Sequence, residues 1–195
     1  MPASPRPNHG TRAGARWSVG RRLRALRRDQ DGVAAVEFAL VAVPFFALLF
    51  AILETAVVFL TTQALETAVA NAARTVYTGR FQSANTSGDI GRAFKKEVCA
   101  HITALFQCTE DAATVHVDVR RFTPGAQPPD VVDKDTGEIN AGAFGYQATQ
   151  ANDIVMVRVA VEYPVFVTLL NPNQANLTNG KRLLVGTATF RNEPF

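Results

Sequence analysis

Of the side chains that most often hold metals or carry catalysis, this 195-residue chain has two cysteines and three histidines. That scarcity excludes much. Cys99 and Cys108 form no C-x-x-C pair and join no histidine cluster, so neither a zinc site nor a thioredoxin-type centre is expected. His101 and His116 have no serine or cysteine set around them in a recognisable context, and His9 lies in the leader. There is no glycine loop that could cradle a phosphate, and no internal repeat. Asp133, Asp135 and Glu138 space like the start of a calcium loop. Gly137 falls one position too early for that loop, however, and the closing glutamate is missing, which points to a solvated hairpin. Asn85-Thr86-Ser87 and Asn176-Leu177-Thr178 fit a glycosylation acceptor, a pattern short enough to arise by chance. No enzyme activity, metal, cofactor or small-molecule substrate is expected.

Charge is scarce too, but unevenly so. From Phe38 to Leu53 no residue is charged. Residues 1–32 hold eight arginines against Asp29 and Asp31, a net +6, and the rest of the chain carries −3. The high isoelectric point therefore belongs to the leader and gives no ground for nucleic-acid binding by the folded part. Residues 2–20 are too rich in Pro, Gly and Arg to offset the entropy of ordering, and are expected to be disordered. Placed directly before an apolar span, the arginines read as a topological signal that keeps the N-terminal flank cytoplasmic and exports the C-terminal side.

The apolar run continues to Leu60, longer than the about 20 residues a membrane helix needs. It is too long, and begins too late, for a secretory signal peptide. The small-residue triplets at Ala68-Val69-Ala70 and Ala70-Asn71-Ala72 lie inside continuing helix. Three residues in the run stand out. Glu37 reads as a headgroup-level acid at the cytoplasmic edge. Glu54 is either the outer end of a span that stops near Leu53 or an intramembrane functional acid. Pro44 lacks an N–H and crowds the carbonyl of Leu40, so a helix kink is expected there.

Past Leu60 the pattern becomes amphipathic. Leu65, Val69, Ala72 and Val76 recur at helical spacing, and Thr78-Gly79 supplies the stop. One helix from Val33 to Thr78 would be roughly 70 Å long. A second helix is expected from Asp89, as N-cap, to Phe106, burying Ile90, Phe94, Val98, Ile102, Leu105 and Phe106. Alternation then marks three strands: Val115–Arg120, Ile154–Pro164 and Leu183–Phe190, with turn-rich loops at 123–152 and 171–182. On the exported side Cys99 and Cys108 form a disulfide candidate. Such a bridge needs the chain to fold back after Phe106.

The order of leader, Gly32, four residues and Glu37 resembles the processing signal of type IV pilins and pseudopilins. The wider pattern narrows this further. Gly32-Val33-Ala34-Ala35-Val36-Glu37-Phe38-Ala39-Leu40-Val41, then Pro44, Ile52-Leu53-Glu54, Gln63-Ala64-Leu65 and Asn71-Ala72-Ala73-Arg74 resembles TadE-like pseudopilins of tight-adherence (Flp-type) pili. The ending Arg191-Asn192-Glu193-Pro194-Phe195 adds to the likeness. The resemblance implies cleavage by a prepilin peptidase between Gly32 and Val33, and assembly through Glu37 and Phe38. Glu37 would pair with the new N-terminal amine of a neighbouring subunit, since two buried charges are less costly together than apart. The partners implied are the peptidase, other pilins and pseudopilins, and the inner-membrane assembly platform.

The expected architecture is α+β: a long N-terminal transmembrane helix entering a small pilin-like exported domain with a second helix and a three-stranded antiparallel sheet. The divisions are a leader at 1–32, a membrane half-helix at 33–60, an exported half-helix at 61–80 and a periplasmic domain at 81–195. The function expected is that of a minor pseudopilin held in the bacterial inner membrane, N-terminus cytoplasmic. The alternative is a static bitopic anchor that displays a ligand- or protein-binding domain.

Overall fold

The apolar run folds as one α-helix, α1, Val33–Tyr77. The computed structural model describes residues 32–102, 108–123, 125–166 and 176–195. Residues 1–31 of the leader, Leu105 and Phe106 of the expected second helix, and part of the 171–182 loop lie outside them. The most apolar 18-residue window of α1 has mean hydropathy 2.5, and none of it is buried. It is long and apolar enough to cross a bilayer as a helix. Pro44 sits within the helix. Thr55, Thr61, Thr62 and Thr67 return their hydroxyls to the carbonyls four residues back, so these polar groups are satisfied inside the helix.

The chain divides into two units within α1, at Phe46 and Ala47. In the first, Val33, Val36, Phe38, Leu40, Val41, Val43, Phe45 and Phe46 are all exposed. In the second, α1 buries one stripe: Glu54, Val58, Thr61, Leu65, Ala68, Val69, Ala72, Ala73 and Val76. The four positions expected from spacing are all fully buried, and the stripe starts three turns earlier than they do. Each large apolar side chain in it contributes about 1.5–3 kcal/mol.

The helix stops as its residues predict. Gly79 takes φ +73°, a left-handed conformation that costs a glycine little, and its N–H donates to the Val76 carbonyl at 3.1 Å. The C-terminal residues complete the cap. Glu193 N–H donates to Tyr77 O at 3.0 Å, satisfying one of the carbonyls a helix end leaves open. The Phe195 ring lies so close over Gly79 that a Cβ there would collide with it.

A short helix α2, Arg80–Ala84, leads to α3, Ile90–Ala100. Asp89 caps α3 as expected, its carboxylate accepting from Arg92 N–H at 3.0 Å. The helix ends at Ala100 rather than reaching Phe106, with His101 as its C-cap. Phe94 of α3 meets Phe81 of α2 edge-on at 5.3 Å, and Tyr146 tilts against both.

The sheet departs from expectation. It has four strands of mixed direction, not three antiparallel ones: β1 Val115–Arg121, β2 Gly145–Tyr146, β3 Ile154–Pro164 and β4 Lys181–Arg191, in the order β2-β1-β3-β4. β1 and β4 flank β3 antiparallel, while β2 runs parallel to β1 through Asp118↔Gly145 and Val119↔Tyr146. Two residues are too short to show a period of two, so β2 left no trace in the pattern.

One face of the sheet (Val115, Val119, Val155, Val157, Val159, Val161, Leu184) joins α1 and α3 in the main core. Gly186 of β4 faces α1. A Cβ there would lie 3.1 Å from Val69 Cγ2 and 3.2 Å from the Leu65 Cγ. The opposite face is also covered. Val131, Val132, Ile139 and Phe144 of the 123–152 loop pack with Leu177 over Ala160 and Leu183. That is why the second face of β3 reads as mixed rather than polar. Within the loop, Asp133 accepts from the N–H groups of Asp135 and Thr136 and closes a turn ahead of Gly137.

Candidate functional site

Gly32 immediately precedes the first turn of α1, and Val33 is half exposed. Glu37 follows Val33 by four residues, so the two share one face of the helix about 6 Å apart along its axis. Glu37 is exposed and makes no hydrogen bond or ion pair among the described residues. Phe38 beside it is 72 % exposed. An acid and an aromatic ring thus stand on the outside of an apolar stretch of α1. Such a surface is unfavourable in water and suited to lipid or to other helices in lipid. Alanines at 34, 35, 39 and 42 keep the flanks narrow, which permits close helix approach.

Glu54 has a different setting. It is 8 % exposed and lies under the turn after β3, where Phe166 N–H donates to its Oε1 at 2.6 Å. A backbone donor at a buried carboxylate offsets part of the desolvation cost. This acid therefore acts inside the fold, tying the end of β3 to α1.

Cys99 and Cys108 are brought together as a disulfide with Cα atoms 5.0 Å apart. Both cysteines are buried in the main core, and the bridge ties the end of α3 to the segment that precedes β1.

Two charged networks, neither anticipated from the residues, organise the far face of the sheet. Asp118 is 1 % exposed and accepts from both Arg120 and Arg158, with nitrogen–oxygen distances of 2.5 to 2.9 Å. Arg158 also donates to Pro129 O at 2.9 Å and Ala143 O at 3.3 Å, and Arg120 to Ala143 O at 2.7 Å. The cluster pins the covering loop to the sheet and carries β2 to its place beside β1. Next to it, Glu162 is held by His116 at 3.1 Å, Lys181 at 2.9 Å and Asn179 at 3.0 Å. Burial alone would raise the Glu162 pKa. The hydrogen bonds from Lys181 and His116 outweigh it and leave the carboxyl below its usual value. One signal was available: Asp118 and Arg158 are opposite charges on the even-numbered faces of two strands. It becomes a pair only once the register Asp118↔Arg158 is known.

An open groove of about 980 Å³ lies along α2 and α3, lined among others by Arg80, Asn85, Arg92, Lys96 and Glu110. Its charges are largely matched, since Arg92 and Lys96 pair with Glu110 and Arg92 with Asp111, and it selects no ligand of one sign. Within the second unit the sheet is braced on one face by the buried stripe of α1 and on the other by the covering loop.

Residues 32–74, which begin at Gly32 and run almost to the end of α1, match the family model described as TadE-like protein. No curated protein and no solved structure matches the chain.

Proposed function

We propose that this chain is a minor pseudopilin of a tight-adherence pilus. It is made as a precursor, cut by a prepilin peptidase between Gly32 and Val33, and held in the inner membrane by α1 with the sheet domain on the periplasmic side. It then joins or primes the filament through that helix. The observation that carries this reading is the TadE-like match, which starts at Gly32 and otherwise lies within α1. On that helix Glu37 lies one turn after Val33, exposed and without a partner among the described residues. Cleavage after Gly32 would create an α-amino group where the helix begins. Pairing that amine with Glu37 of a neighbouring subunit would relieve two buried charges at once and select a single register between helices.

Its work on this reading is structural, not enzymatic. The braced domain keeps its shape while the helix changes neighbours from lipid to other subunits. The test is a strain whose only copy carries Glu37→Ala. Processing should continue and the mature chain should accumulate in the membrane, while piliation falls. Normal piliation in that strain contradicts the pairing role.

A further inference from the structure

Where β3 ends, a backbone donor ties the chain to α1. Phe166 N–H reaches Glu54 Oε1 at 2.6 Å, yet the Phe166 ring is 75 % exposed. The depth of Glu54 along the helix gives that exposure a meaning. Beyond it Val57, Phe59 and Leu60 are still exposed on other faces of α1, and polar residues begin only at Thr61, Thr62 and Gln63. Leu60 lies about 9 Å further along the axis at 1.5 Å per residue. Phe166 is thus held level with the apolar band of the helix, short of its polar continuation.

We propose that the turn at Pro164, Val165 and Phe166 is a second membrane contact. The Phe166 ring sits at the boundary between headgroups and acyl chains, in the leaflet nearest the sheet domain. The proposal rests on the reading of Val33–Leu60 as the membrane-spanning segment. Three observations commit the occupant to lipid. The turn lies at a level where α1 still exposes Val57, Phe59 and Leu60 on its other faces; it carries no charged side chain; and the nearby carboxylate, Glu54, is buried and hydrogen-bonded. An aromatic ring at that level is stabilised by leaving water without entering the hydrocarbon centre. With the helix as one attachment and the ring as another, the domain is fixed in rotation as well as in height.

The experiment uses the full chain with Trp17→Phe, which removes the one native tryptophan. It is reconstituted into phosphatidylcholine–phosphatidylglycerol vesicles with or without dibrominated phosphatidylcholine. Into this background either Phe166→Trp or, on the helix, Phe50→Trp is introduced, both at exposed positions. The proposal expects emission from both indoles to be blue-shifted and to lose intensity with brominated lipid, more strongly for shallow bromines at position 166. If Phe50→Trp is quenched and Phe166→Trp emits as in water, the second contact is overturned while the anchor stands. If neither is quenched, the spanning reading fails and the proposal with it. Adding Glu54→Leu to Phe166→Trp should weaken the quenching, and unchanged quenching would overturn Glu54 as the tether.

Discussion

Replacing Asp118 with alanine removes the anion from a buried cluster that holds two arginines. Asp118 and Arg158 are 1 % and 6 % exposed, so in the variant the Arg158 guanidinium stays buried without a counter-charge. It keeps only Pro129 O and Ala143 O as acceptors. Arg120, whose side chain is 21 % exposed, can turn to water and adds less. Breaking a buried pair from one side costs about 3–5 kcal/mol. At about 1.4 kcal/mol per tenfold change, that is a rise of roughly two to three and a half orders of magnitude in the opening equilibrium. Hydrogen exchange of β1 and β3 amides in the full chain, in detergent micelles, reads that equilibrium. The double variant Asp118→Leu/Arg158→Met should recover most of the loss, because it removes both charges and leaves apolar volume. A single Asp118→Ala variant that loses less than about 1 kcal/mol, the range of an exposed pair, would refute the account of this cluster as the clamp on the far face.

Other consequences are independent of that cluster. Reducing the Cys99–Cys108 bridge opens a loop with a sequence separation of 9 and should lower stability by about 2–3 kcal/mol in the chain-entropy model; protein from the native membrane should react with a thiol label only after reduction. Gly186→Val should cost about 1–3 kcal/mol, because its side chain would press on Val69 and Leu65, and thermal unfolding measures it. Glu162 has a folded pKa below its ordinary value of 4.5, so its contribution is complete above that pH and is lost as the pH falls through the lower folded value. Glu162→Gln should flatten the acid limb of the stability profile and leave the neutral limb unchanged in slope.

The helical spine was readable because each of its signals is local. An uncharged run, a stripe at Leu65, Val69, Ala72 and Val76, and a glycine after Thr78 are all set by near neighbours along the chain. The same holds for the Asp89 cap and for β1, β3 and β4, whose alternation survives without knowledge of their partners. What was not readable depends on distant contacts. β2 depends on contacts far along the chain: Ala143 O is held by Arg120 and Arg158, Tyr146 packs on Phe81 and Phe94, and Gly145 and Tyr146 pair with Asp118 and Val119 of β1. The loop at 123–152 looks solvated by composition, but its few apolar residues suffice to cover the second face of the sheet. Glu54 was conspicuous as an acid near the end of an apolar run. Its partner, Phe166, lies 112 residues away, and no local pattern could name it.

The central claim is that Gly32–Val33 is a processing bond and that the mature protein begins with α1. Intact-mass measurement combined with N-terminal sequencing, on protein taken from the native membrane, tests it at that bond. A chain that starts at Val33 is the predicted result, and a chain that retains residues 1–32 contradicts it.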